Sequence, residues 1–121
     1  MPFKGILKDL VNRVKGAQGA ILLDWEGEAV DQYAVISDYD IKFIGAHMGI
    51  LLYNLNKRLR EELGDDDIKG VTIDLDRKRF AIYPVDKDYF AVLVLSPEAV
   101  SGLVRHEIEA TVKAIRERNT R

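Results

Sequence analysis

The chain has 121 residues, 47% apolar and 31% charged, with 18 basic against 20 acidic side chains and a net charge of −2. That is the size and make-up of one globular domain over residues 1–121, long enough to bury a core without covalent staples. It has no cysteine, which excludes disulfides, thiolate catalysis and cysteine-based metal sites, and no clustered basic surplus of the kind that nucleic-acid binding uses.

Along the chain, Phe3, Ile6, Leu7, Leu10, Val11 and Val14 recur at helical spacing, and Gly16 follows as a stop. Met1-Pro2-Phe3-Lys4 thus opens an amphipathic helix, not a signal-peptide core. Gly19 to Leu23 is an apolar run without alternation, as a strand covered on both faces would be. A turn at Asp24 to Glu28, with Gly27 free to take positive φ, leads into a second strand from Ala29 to Ile36. Asp38-Tyr39-Asp40 offers caps for a long helix from Ile41 to Leu63, which Gly64 and three aspartates end.

Val71 to Asp76 alternates strictly, so it reads as a strand with one wet face, placed at a sheet edge. Phe80 to Val85 is the next strand, with Pro84 at its end, where the missing ladder donor does least harm. Tyr89 to Leu95 is another doubly buried run. Ser96-Pro97-Glu98 reads as the start of a final helix whose inner stripe is Val100, Leu103, Val104, Ile108, Val112 and Ile115. Arg116, Arg118 and Arg121, interrupted by Glu117, read as its frayed, solvated end. The order α-β-β-α-β-β-β-α with short hairpins predicts an α+β fold: helices packed on a five-stranded antiparallel sheet, with the two doubly apolar runs at its centre.

The long helix carries two apolar lines. Ile41, Ile44, Met48, Leu51, Leu52, Leu55, Leu59 and Leu63 fall in one arc that packs on the sheet. Across it, Phe43, Ala46, Ile50 and Tyr53 make a second line that continues to Lys57, flanked by His47 and Asn54. So small a chain has nothing left to cover that line, which makes it a candidate interface. Gly45 and Gly49 cost about 1 kcal/mol each in a helix interior, so something must come close to the backbone there. Either a partner does, or the sheet does, and by the wheel Gly45 turns to the core and Gly49 to the flank.

The residues for chemistry are sparse. His47 and His106 are far apart in sequence, and His106-Glu-Ile-Glu-Ala lacks the second histidine of a zinc-protease motif. Asp65-Asp66-Asp67 lacks the pattern of a calcium loop and reads as a solvated turn. There is no phosphate-binding glycine loop, and Ser37, Ser96 and Ser101 read as caps or surface residues. No catalytic residue, cofactor or metal site is expected. With no apolar run near the ~20 residues that span a bilayer, a soluble protein without membrane insertion is expected, and the lack of cysteine suits a reducing, cytoplasmic setting.

The chain resembles the roadblock (dynein light-chain) family. The matching pieces are Gly19-Ala20-Ile21-Leu22-Leu23-Asp24 with its Glu-Gly turn, the small-residue-bearing middle helix, Phe80-Ala81-Ile82-Tyr83-Pro84-Val85, the last strand, and Gly102-Leu103-Val104-Arg105. The resemblance implies a strand order of 2-1-5-4-3, with the middle helix on one face and the terminal helices on the other. It also implies a dimer in which two edge strands, here Val71, Thr72, Ile73, Asp74 and Leu75, pair into one continuous sheet while the middle helices lie side by side. Prokaryotic members often accompany a small Ras-like GTPase and regulate it; others are structural scaffolds linking larger proteins. The function expected is therefore a non-enzymatic homodimer that binds such a GTPase or another protein. A plain scaffold is the alternative, with a ligand-sensing module ranked behind both.

Overall fold

The computed structural model describes residues 3–120. Arg121 of the basic tail and the leading Met1 and Pro2 lie outside the described residues. The elements are α1 (Lys4–Arg13), β1 (Ala17–Asp24), β2 (Ala29–Ala34), α2 (Asp38–Leu63), β3 (Val71–Asp74), β4 (Arg79–Pro84), β5 (Tyr89–Leu95) and α3 (Ser101–Asn119). All strand pairs are antiparallel and the sheet order is β2-β1-β5-β4-β3, as expected.

Two cores follow from the alternation of side chains across the pleat. On one face Ala20, Leu22, Tyr83, Ala91, Leu93 and Leu95 meet Leu7, Leu10 and Val11 of α1 and Val104, Ile108, Val112 and Ile115 of α3. On the other, Ile21, Leu23, Phe80, Ile82, Phe90, Val92 and Val94 meet Ile41 and Leu52 of α2. The apolar runs of β1 and β5 are buried on both sides because they lie inside this sandwich. Each fully buried leucine or isoleucine contributes roughly 1.5–3 kcal/mol. Gly16 and Gly27 both take positive φ, at the α1 stop and the β1–β2 turn.

Four expectations need correction. The cap of α2 is Ser37, whose Oγ accepts from the Asp40 N–H, so the helix begins at Asp38. Ser96-Pro97-Glu98 is a turn closed by Ala99 N–H to the Ser96 carbonyl, and α3 starts only at Ser101 because Val100 is extended. Val100 and Leu103 are therefore exposed instead of joining the α3 stripe, which runs from Val104 and includes Thr111. The end of α3 is docked, not frayed. Arg116 Nε donates to the Val85 carbonyl at 2.7 Å, and Asn119 Nδ2 donates to Asp86 and Asp88 on the β4–β5 turn.

The fourth concerns α2. It lies over β1, with β5 and β2 beside it, and its buried residues are Ile41, Gly45, Gly49 and Leu52. Ile44 and Met48 are half-buried, while Leu51, Leu55 and Leu63 of the expected core arc are exposed. Both glycines face the sheet. A Cβ at Gly45 would stand 3.0–3.1 Å from Leu23 and Ile21, so it is the sheet that approaches the helix backbone. This close seat leaves Leu51 and Leu55 on a flank of the helix, while Leu63, on the same side of the wheel as Gly45, is exposed in the last turn before Gly64.

Candidate functional site

The outward face of α2 is a ridge. Tyr39, Phe43, Ile50, Leu51 and Tyr53 are all exposed on it, with Ile50 at 60% and Tyr53 at 56%. His47, Asn54 and Lys57 are exposed beside them, and Ala46 is half-buried on the flank. The seven residues expected here thus share the outer half of one helix. Three aromatic rings stack along its first turns: Tyr39 on Phe43 at 6.0 Å and Phe43 on His47 at 4.2 Å. The His47 Nδ1–H donates to the Phe43 carbonyl at 2.9 Å, which orients the imidazole on the ridge.

The two flanks of the ridge differ. Ala46 sits 3.8 Å from where a Gly27 side chain would begin, so Ala46, Gly49 and Tyr53 border the β1–β2 turn. At 100° per residue, Ile44, Leu51 and Leu55 lie on the opposite flank, toward the β4–β3 half of the sheet. α2 does not cover that half closely, and Val71 and Ile73 of β3 stay half-exposed on the α2 face. Thr72 and Asp74 are exposed on the other face. Leu75, expected within the edge strand, belongs to the β3–β4 turn, where its N–H donates to the Lys78 carbonyl. Among the described residues no strand lies beyond the outer edge of β3.

Sequence reasoning missed Tyr39, Leu51 and Leu55 as parts of the exposed face, and Trp25 beside it. In the sequence Tyr39 stands among cap residues, and the two leucines fall within the apolar arc of the wheel, while Gly49, which the wheel puts on the flank, in fact seats the helix on Phe90. Trp25 fills the space between the turn and the β5 start. Its ring tilts on Phe90 at 4.9 Å and its indole N–H donates to the Asp86 carbonyl at 3.0 Å.

The opposite face has a polar cleft, lined by Lys69, Gly70, Thr72, Arg79, Tyr83, Arg105 and Glu109. Its charges engage one another. Arg79 holds Asp74 at 2.6 Å, and Glu109 receives Arg105 at 2.8 Å and Lys69 at 3.5 Å. The Arg105 hydrogen bond holds the Glu109 carboxyl below the usual carboxylate range, while burial first, and then Glu109, push the Tyr83 phenol up. Among the described residues no group of three or more histidine and acidic side chains is placed to hold a metal ion. Asp65 and Asp67 lie against Arg60 instead, at 3.9 and 3.3 Å. No helix among the described residues is long and apolar enough to cross a membrane.

Helices divided one and two across a five-stranded 2-1-5-4-3 sheet, with an apolar ridge on the lone helix and an open β3 edge, define the roadblock class of α+β domain. The chain belongs to the Roadblock/LC7 domain family, whose model matches residues 4–95. Its fold is similar to that of a Roadblock/LC7 domain from Streptomyces avermitilis, with a TM-score of 0.87 at 20% identity over 98% of each chain. It is similar also to MglB of Myxococcus xanthus, with a TM-score of 0.86 at 13% identity over 97% of this chain and 94% of that one. MglC of the same organism matches at 0.71 and 24% identity, covering 98% and 99%. No curated protein matches the sequence.

Proposed function

We propose that the protein is a non-catalytic regulatory dimer that binds a small Ras-like GTPase through the outer ridge of α2. The observation that carries this reading is the ridge itself: Tyr39, Phe43, Ile50 and Tyr53 stand in water along a helix whose opposite face is already packed. An exposed apolar surface of this kind on a small domain marks an association site. Family membership supports this class of partner, since roadblock proteins of prokaryotes often accompany Ras-like GTPases, and one solved structure of similar fold is described as MglB with a tetrameric arrangement.

The two flanks divide the work. Self-pairing joins two β3 edges through Val71, Thr72, Ile73 and Asp74, and it brings the Ile44, Leu51 and Leu55 flanks of two α2 helices together above the seam. The ridge of Phe43, Ala46, His47, Ile50, Tyr53, Asn54 and Lys57 then faces the GTPase. It works by differential affinity: a ridge that fits one switch conformation better than the other shifts the population without donating a reacting side chain. A cytoplasmic setting, where such GTPases act, goes with this role.

The test is nucleotide release and hydrolysis by a Ras-like GTPase from the same genome, measured with and without the protein. A change in either rate of tenfold or more, lost in Ile50→Glu, supports regulation. A complex that forms without moving either rate supports the scaffold reading instead. No complex at all would sink both.

A further inference from the structure

We infer that the pocket between the β1–β2 turn and α2 is an anchor site for one apolar side chain of a partner protein, and that the acidic turn selects a partner with a basic residue beside that anchor. The inference does not depend on the partner being a GTPase. The pocket is walled by Trp25, Gly27, Ala46, Gly49, Ile50 and Tyr53 and has a volume of about 240 Å³. Small-molecule sites run from about 300 to 1,000 Å³, so this one is sized for a side chain. Its lining is mostly apolar, and two of its walls, Ile50 and Tyr53, are also crests of the α2 ridge. A chain lying along the ridge would pass over its mouth.

The walls are fixed before anything binds. Trp25 is held by its indole bond to Asp86 and by Phe90 behind it. Asp24 Oδ1 accepts from the N–H groups of both Glu26 and Glu28 at 3.0 Å, which locks the turn. A rigid, aromatic-lined hollow that opens beside an exposed apolar ridge can seat an anchoring side chain, the kind of contact in which binding energy concentrates in protein interfaces.

Charge then specifies the neighbour of the anchor. The turn presents Asp24, Glu26 and Glu28 within five residues, and among the described residues no ion pair engages any of them. On the adjacent flank of α2, Lys42 is already held by Asp38 at 3.1 Å. An arginine or lysine flanking the anchor meets uncompensated carboxylates at this rim, whereas an acidic neighbour is repelled.

Trp25 is the sole tryptophan, so its indole N–H resonance reports on this pocket alone. The probes are three capped dipeptides, acetyl-Leu-Arg-amide, acetyl-Leu-Glu-amide and acetyl-Gly-Arg-amide, titrated to tens of millimolar against the whole protein. The Leu-Arg probe should shift the indole signal saturably, with a Kd at least fivefold below that of Leu-Glu, and Gly-Arg should leave it unmoved. Glu26→Gln with Glu28→Gln should erase the arginine preference and keep the leucine dependence. Ala46→Leu should fill the pocket and abolish binding, and if that variant loses its helical signal the glutamine pair still decides the matter. No saturable shift, equal affinity for Leu-Arg and Leu-Glu, or unchanged binding in a folded Ala46→Leu overturns the proposal. So does binding that appears only in a variant made monomeric, because the pocket would then belong to a second copy of the chain.

Discussion

The backbone of α2 rests on the ring of Phe90: a Cβ added to Gly49 would stand 2.3 Å from Cζ, with Cε1 and Cε2 at 2.9 and 3.1 Å. Phe90 is fully buried and backed by Trp25, so the ring has no free direction in which to move. Gly49→Ala gains about 1 kcal/mol of helix propensity, but overpacking a closed core costs typically 1–3 kcal/mol. We expect net destabilisation, read as a lower urea midpoint. Gly102→Ala is the control. Nothing lies within 4 Å of its added methyl, and it should hold or raise the midpoint.

Ile50 and Leu51 are adjacent in sequence and exposed, yet they should separate two kinds of assembly. Leu51→Glu with Leu55→Glu places charge on the flank toward β3, and if self-pairing runs along that side, light scattering should show a dimer falling to monomer. Ile50→Glu with Tyr53→Glu should leave the dimer mass unchanged and remove partner binding. All four side chains are at least 37% exposed, so circular dichroism should stay that of the wild type. A loss of helical signal would show that the outer face is packed after all. A wild type that is monomeric at tens of micromolar would remove the homodimer and point to a heterologous partner.

Tyr83 gives the protein an alkaline limit. Its phenol pKa is raised from the ordinary 10.0, mainly by burial and secondly by Glu109, with Arg105 opposing. The folded chain therefore keeps this proton to higher pH than the unfolded chain does. The contribution is fully present below the unfolded value and is lost as pH rises through the folded one. Between about pH 10 and 11, where unperturbed tyrosines ionise, wild-type stability should fall more steeply than that of Tyr83→Phe. Parallel curves would show that the phenol is not desolvated.

Arg79 ties three elements together. Its guanidinium donates to Asp74 at the end of β3, to the Ala99 carbonyl at 2.8 Å and to Ser101 Oγ at 3.1 Å, and its side chain is only 16% exposed. Hydrogen bonds to a charged group contribute about 1.5–3 kcal/mol, and Arg79→Met should lose about that much by chemical denaturation. Asp74→Asn should cost less than about 1 kcal/mol, because that carboxylate is well exposed.

Periodicity made the fold readable. The unbroken apolar runs of β1 and β5 read as interior strands, and the alternation from Val71 to Asp76 reads as an edge. What escaped was set by contacts between distant residues. Ser96-Pro97-Glu98 looks like a helix start locally, yet Arg79, some twenty positions earlier, captures the Ala99 carbonyl and α3 begins later. The leucines of α2 suggest one arc, but its rotation is decided by two glycines pressed on Leu23 and Phe90. A helical wheel counts side chains and gives no weight to positions that lack them. The wheel turns Gly45 to the core correctly, but it leaves Gly49 on the flank and keeps Leu51 and Leu55 in the core arc, so those two leucines and the Trp25 pocket are not legible as surface.

The sheet has two borders, and they are unalike. β2 carries a register shift opposite Leu22 and Leu23 and turns Asp31 inward, where the residue is 8% exposed. An irregular strand with a buried acid is a poor template for another strand. β3 is short, regular and open. A building block that is adhesive along one side only can close into a pair around a two-fold axis but has no means of adding a third member by the same contact. The register shift and inward acid of β2 make that border a poor continuation for a pair joined at β3, so such a pair would not extend into a fibre by strand addition.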